Sequence, residues 1–190
     1  MDCAVLKLPT KKTMRYSQRD FEKRISYLRE LRKIVSKRGS KNIIYLDESG
    51  FAPSTQRNYG WAIRGKKVYG ERSGNSRPRT SLIAGKRGKH LLATILFEGG
   101  TDSAWFNAWL EKHLFKELQP ESTIIMDNAP FHKKKDITEI ANKHGHYVLF
   151  LPPYSPDFNP IEQDFANIKK IRSYSLPNTK LDDIIKSYGN

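Results

Sequence analysis

The chain has 190 residues, 37% of them hydrophobic, with 34 Lys/Arg against 20 Asp/Glu and a net charge of +14. That length can bury one sizeable core. The single cysteine, Cys3, excludes an intrachain disulfide and suits a reducing compartment. No apolar run approaches the ~18 residues of a membrane span, and the N-terminus lacks the apolar stretch of a signal peptide.

The positive charge is unevenly placed. Residues 1–41 carry 13 Lys/Arg against 4 Asp/Glu, and residues 64–89 carry 9 against 1. Two basic segments beside a near-neutral remainder point to a polyanionic partner, with a solvated basic surface as the plainer alternative. No strongly apolar face accompanies the charge, which argues against a membrane surface.

Residues 1–16 show turn signals and basic residues without periodicity, as an arm or linker would. From Ser17 to Lys37 a helical stripe follows, with Phe21, Ile25, Leu28, Leu31 and Val35 on one side and Lys/Arg opposite. Gly39 is placed to cap its C-terminal end. Such a helix either packs on the domain or binds a partner. The run Asn42–Leu46 has the β-branched, continuous apolar character of a central strand and ends in Asp47. Val68-Tyr69 reads as the rim of a further strand. Ser81–Ala84 and Leu91–Phe97 read as two strands joined by the basic hairpin loop Gly85–Lys89.

Between Ser103 and Leu118, the residues Trp105, Phe106, Trp109, Leu110, His113 and Leu114 recur at helical spacing, as core packing requires. A strand over Thr123–Met126 delivers Asp127. A helix over Lys133–His144 stops at Gly145, and a strand over Tyr147–Leu151 leads into the turn Leu-Pro-Pro-Tyr-Ser-Pro. Asn159-Pro160 opens the last helix, with Asn as cap and Pro in the first turn. The order predicts an α/β fold, a mixed sheet with helices on both faces. It divides into a basic arm and linker helix over residues 1–41, a domain over 42–175 and a tail over 176–190.

Three carboxylates stand out. Asp47 and Asp127 follow strand-like runs, and sites in α/β sheets form beyond the carboxyl ends of central strands. Glu162, in the first turn of the last helix, can join them if that helix crosses the same edge. Three converging carboxylates repel one another and raise their pKa values, and a hard divalent cation removes that cost. Two Mg2+ ions on such a set are chemically sensible for phosphodiester cleavage. Each carboxylate also has a plainer role: the two Asp as turn formers, Glu162 in a capping box with Asn159. Glu48 rivals Asp47, but alternation points it to the opposite face. His132 could orient a carboxylate, contact DNA or cap the following helix. No zinc constellation and no Walker-A loop occur.

At these residues the chain resembles the DDE-type transposases of the mariner-like superfamily, in particular their bacterial insertion-sequence branch. The resemblance rests on four blocks in order: IIYLDESGF (43–51), NYGWAIRG (58–65), IIMDNAPFH (124–132) and LPPYSPDFNPIE (151–162). Asp127 and Glu162 are separated by 34 residues, the interval typical of that superfamily. It implies an RNase H-like fold and assigns Asp47, Asp127 and Glu162 as a catalytic, metal-binding triad. Mg2+ or Mn2+, as two ions, is the implied cofactor. The implied activity is metal-dependent cleavage of DNA at the ends of a mobile element, followed by strand transfer into a TA-containing target. Lys169 and Arg172 match basic positions of the last block, and Arg64, Lys66, Lys67, Arg77 and Arg79 of the basic segment are candidate DNA contacts.

The implied partners are element-end and target DNA and a second copy in a homodimer. The implied location is the bacterial cytoplasm, on the nucleoid. Only 42 residues precede the first strand, too few for the helix-turn-helix reader that the family usually carries. The expectation is therefore an upstream half encoded separately or by frameshift. Phe165 stands where the family usually has Trp, which keeps an aromatic anchor. Rival readings are another RNase H-like nuclease, or an inactive remnant that only binds DNA.

Overall fold

A computed structural model of the chain describes residues 17–52, 61–69, 79–129, 133–176 and 179–188. Its frame is a five-stranded sheet in the order β3-β2-β1-β4-β5. The strands are β1 (Ile43–Phe51), β2 (Thr80–Arg87), β3 (His90–Glu98), β4 (Thr123–Met126) and β5 (Tyr147–Phe150). β1, β2 and β3 form an antiparallel meander, while β4 and β5 run parallel to β1 and to each other. All four residues of β4 are buried, as expected for a strand covered on both faces.

The helices are α1 (Phe21–Arg38), α2 (Ser103–Trp109), α3 (Phe115–Glu117), α4 (Lys134–Lys143), α5 (Ile161–Tyr174) and α6 (Leu181–Ser187). On one face Phe106, Trp109, Leu110, Leu114, Phe115, Ile137 and Ala141 pack on Ile44, Leu46, Ile83 and Ile124. On the other, α5 and α6 bury Ile161, Phe165, Ile168, Ile184 and Ile185 against Phe51, Leu82 and Ala84. There too, α1 sets Tyr27 on Ile43, Ile125 and Leu149. This is the expected mixed sheet with helices on both faces.

Several elements differ from the sequence expectation, each for a tertiary reason. β1 continues through Asp47 to Phe51, because β2 pairs with it antiparallel from Tyr45 to Phe51. The hairpin turn between β2 and β3 is only Gly88-Lys89, so Gly85, Lys86 and Arg87 belong to β2. Lys86 points inward to an ion pair with the buried Asp164, and Tyr188 donates to the same carboxylate at 2.9 Å. Val68-Tyr69 forms no strand and lies in the exposed segment 61–69.

In α1 the buried residue is Tyr27, stacked on Phe158 with ring centroids 5.3 Å apart, whereas Phe21 is 75% exposed. The aromatic partner, rather than the aliphatic stripe, sets the helix's rotation. Residues 176–190, expected as a tail, contain α6, whose Ile184 and Ile185 close one of the cores.

The helix over 103–117 holds a π-helical turn, Leu110–Leu114, in which the Phe115 N–H donates to Leu110 five residues back. One extra residue in a turn rotates every later side chain about the helix axis. His113, expected in the core, is exposed, and Phe115 takes the buried place. A bulge lies opposite, where the β2–β3 register shifts between Ile83 and Gly85 and Ala93 takes a φ of 48°. Two bonds pin it: the Trp109 indole donates to the Ala93 carbonyl and the Ala93 N–H donates to Glu117, both at 3.1 Å. Trp109→Phe keeps the buried ring but orphans that carbonyl. It should cost about 1–3 kcal/mol in urea unfolding, with the slope unchanged.

Candidate active site

The parallel register of β1 and β4 builds the site. Ile43 pairs with Thr123, Ile44 with Ile124 and Tyr45 with Ile125. Continued by two residues, that register sets Asp47 beside Asp127, one past the last residue of β4. β1 pairs with β4 only as far as Tyr45 while its pairing with β2 runs on to Phe51, and a recess of about 220 Å3 is lined by Leu46, Asp47, Glu48, Ile83, Phe106, Asp127 and Ala129. A larger cleft of about 600 Å3 adjoins it. Asp47, Asp127 and Glu162 all line that cleft, together with the turn from Leu151 to Pro156 and Asn159.

Glu162 arrives from a third element. The Leu-Pro-Pro-Tyr-Ser-Pro turn leaves β5, a short 3-10 turn follows at Pro156–Phe158, and α5 starts at Ile161. Ile161, Phe165 and Ile168 anchor α5 in the core, which turns the intervening Glu162 to the cleft. Asn159 does not cap the helix with its side chain. Its amide donates to the Leu46 carbonyl at 3.3 Å, and the residue is 3% exposed. The residue before Asp47 is thereby tied to the head of the helix that bears Glu162. Tyr154, at the tip of the turn, holds a φ of 54°, an uncommon conformation for a side chain of its size.

The carboxylates feel one another. The Asp47 carboxyl is pushed up to about 7, first by burial and then by the charges of Glu162, Asp127 and Glu48. The Glu48 N–H, which donates to Asp47 at 2.8 Å, opposes the rise. Glu162 is surface-exposed, yet burial of its carboxyl raises it too, against the pull of Lys169 and with the push of Asp127. Glu48 turns to the other face, where its carboxylate accepts the Thr101 hydroxyl at 2.5 Å.

Three oxygen-bearing side chains at one cleft, one of them raised chiefly by burial, suit a hard divalent cation. Among the described residues, no three Asp, Glu, His or Cys side chains stand close enough together to hold a metal ion between them. The fit to Mg2+, which takes oxygen ligands and keeps several waters, therefore rests on the chemistry of the carboxylates lining the cleft.

The basic candidates separate into two groups. Arg79 lies over Gly50, where an added Cβ would sit 1.8 Å from its Nε. Lys169 and Arg172 reach over the Phe51 ring, at 5.6 and 5.8 Å from its centroid. These three gather at the far end of β1, beyond Asp47. Arg64, Lys66 and Lys67 lie apart in the exposed segment 61–69. Arg77 and His132 lie outside the described residues. Sequence reasoning missed Arg24, Ser155 and Asp157: the Arg24 side chain bonds to both of the others, and Ser155 lines the cleft. Their separation of more than 130 residues leaves no local signal.

The fold and cleft define an RNase H-like α/β domain with a carboxylate site at the carboxyl edge of its parallel strands. A family model described as DDE superfamily endonuclease matches residues 42–185, and the chain belongs to that family. No curated protein matches the sequence. Among solved structures, the Mos1 mariner paired-end complex with Mn matches with a TM-score of 0.73 and 16% identity, over 96% of this chain and 60% of that one. The Mos1 strand transfer complex matches at 0.71 and 17% identity, over 94% and 56%. The catalytic domain of Mos1 mariner transposase matches at 0.64 and 15%, over 92% and 86%. At these identities the likeness establishes the fold. The chain spans little more than half of the transposase chains in the two complexes. Among the described residues no helix is long and apolar enough to cross a membrane.

The raised Asp47 pKa has a sign that can be tested. The folded chain keeps a proton from its ordinary value near 3.8 up to about 7, which the unfolded chain has lost. The metal-free protein therefore loses stability as pH rises through that window. Asp47→Asn, neutral throughout, should match the wild type near pH 4 and exceed it at pH 8 by about 1–3 kcal/mol. Denaturant unfolding in EDTA across that range provides the check.

Proposed function

We propose that the chain is the catalytic domain of a DDE transposase, with Asp47, Asp127 and Glu162 as its catalytic carboxylates and residues 1–41 as a basic arm and linker helix. The observation that carries this is that Asp47 and Asp127, each two residues beyond the last β1–β4 pair, line one cleft together with Glu162. The reaction is hydrolysis of the phosphodiester at the end of a mobile DNA element, followed by attack of the freed 3′-hydroxyl on target DNA. The three carboxylates would hold Mg2+ or Mn2+, as two ions. When bound, these supply Lewis-acid stabilisation of the phosphate and lower the pKa of an attacking oxygen.

The chain's own residues divide the remaining work. Burial at the recess raises the Asp47 carboxyl, and a bound cation would favour its ionised, ligating form. Glu162 sits on the first turn of α5, where the core contacts of Ile161 and Phe165 restrict its movement. Lys169 and Arg172 follow on the same helix and are placed to neutralise phosphates leading to the cleft. Arg79 extends that cationic end. Arg64, Lys66 and Lys67 form a second, sequence-independent contact for DNA backbone, and Arg77 belongs with them by sequence. The branch is the bacterial insertion-sequence one, and the partners are element-end and target DNA, a second copy in a homodimer and an upstream helix-turn-helix half encoded separately or by frameshift. The setting is the nucleoid.

The triad assignment is tested by Asp47→Asn, Asp127→Asn and Glu162→Gln, each assayed on a labelled end-containing duplex with Mg2+. Each should cut more than about a hundredfold more slowly than the wild type while unfolding cooperatively, since a lost ligand costs more than a lost neighbour of a ligand. Near-normal cutting by any folded variant removes that residue from the triad. Strand joining on a pre-cleaved end separates a transposase from a nuclease that only hydrolyses.

The exposed basic segment yields a separate expectation. Arg64→Glu, Lys66→Glu and Lys67→Glu together should weaken DNA binding and reduce the slope of log affinity against log salt by about 3. An unchanged slope from fluorescence anisotropy would place the DNA track elsewhere.

A further inference from the structure

The turn from Ser155 to Asn159 is gripped from two sides, and the outer grip comes from the N-terminal helix. The Arg24 guanidinium donates to Ser155 Oγ at 2.7 Å and to both Asp157 oxygens at 2.9 and 2.6 Å. Its Cζ lies 3.8 Å from the centroid of the Phe158 ring, and Tyr27, one turn along α1, stacks on the same ring. Ser155 in turn donates to the Pro153 carbonyl at 3.2 Å. On the inner side, Asn159 donates to Leu46 and its own carbonyl accepts the Glu162 N–H at 3.2 Å. The Phe158 and Asn159 amides close the short 3-10 turn between the two grips, at 3.1 and 2.8 Å.

We propose that Arg24 is a positioning residue for the cleft: it clamps the 155–159 turn, which holds Asn159 against Leu46 beside Asp47 and seats Glu162 at the head of α5. The inference rests on the reading of Asp47 and Glu162 as metal-holding carboxylates. Magnitudes separate this role from simple docking of α1. The Asp157 side chain is 55% exposed, and an ion pair with so exposed a partner adds little to the stability of a fold. An ångström of misplacement at a reacting carboxylate can cost about a hundredfold in rate. The planar fork explains the residue type. Only Arg reaches Ser155 and both Asp157 oxygens while stacking on Phe158, and Lys cannot reproduce that set.

The test uses the full chain with Arg24→Ala, Arg24→Lys, Asp157→Ala and the Arg24→Ala/Asp157→Ala double variant. Two readouts are taken: Mn2+ binding by calorimetry, and amide hydrogen exchange. Removing the clamp should weaken Mn2+ binding about tenfold or more, as loss of groups that orient metal ligands does. The Phe158 and Asn159 amides should exchange about tenfold faster or more, with β3 and α4 unchanged. Arg24→Lys should fall between wild type and Arg24→Ala. The double variant should be no worse than either single one, because both break the same clamp. Unchanged Mn2+ affinity in Arg24→Ala overturns the proposal, whatever the turn amides do, since the clamp then only docks α1. Additive losses in the double variant overturn it as well. A wild-type chain that binds no Mn2+ defeats the functional reading itself, a result distinct from a wild type that binds and a variant that binds equally well.

Discussion

The parallel pairing of β1 with β4 is the constraint on which the rest of this structure depends. Its register pairs residues 43–45 with 123–125, 80 residues on in the chain, and Asp47 and Asp127 both follow two residues beyond the last pair. A slip of one residue would turn Asp47 to the opposite face and send Glu48 to the cleft. The buried alternation on β1 forbids that slip. Ile44 and Leu46 fill one core while Ile43 and Phe51 fill others on the opposite face. The carboxylate site thus inherits its accuracy from hydrophobic packing rather than from any attraction between the carboxylates, which repel.

Burial first, and that repulsion after it, raise the Asp47 and Glu162 pKa values. The same burial that holds Asp47 still makes its charged form costly, so the site works against folding stability until a cation offsets it. The fold supplies the compensation elsewhere. The inward Lys86 pairs with Asp164, and Tyr188 joins α6 to that carboxylate, so α5 is held along its length by partners from β2 and α6. Asn159 adds a bond at the helix head. A helix fixed at several points can carry a strained charge at its first turn.

Much of this was legible in the sequence, and the reasons are local. Continuous β-branched runs marked β1 and β4, Gly39 and Gly145 marked helix ends with positive φ, and Pro-rich punctuation marked the turn before α5. Each of these signals acts within a few residues, where backbone sterics and side-chain periodicity decide the outcome. Membership of the DDE superfamily rests on a family model that matches residues 42–185.

What the sequence could not decide was everything set by a distant partner. Asp47 sits within a strand because β2, more than 30 residues on, pairs past it. α1 turned Tyr27 inward because Phe158 awaited it, and a π-helical turn exchanged His113 for Phe115 in the core. Asn159, read as a helix cap, spends its amide on a strand carbonyl 113 residues away. Periodicity names the residues able to face a core, and turn chemistry names where the chain reverses. Which of several permitted rotations, registers and hydrogen-bond partners is adopted is settled only by the side chains that fold against them, because those alternatives differ little in local energy and greatly in packing.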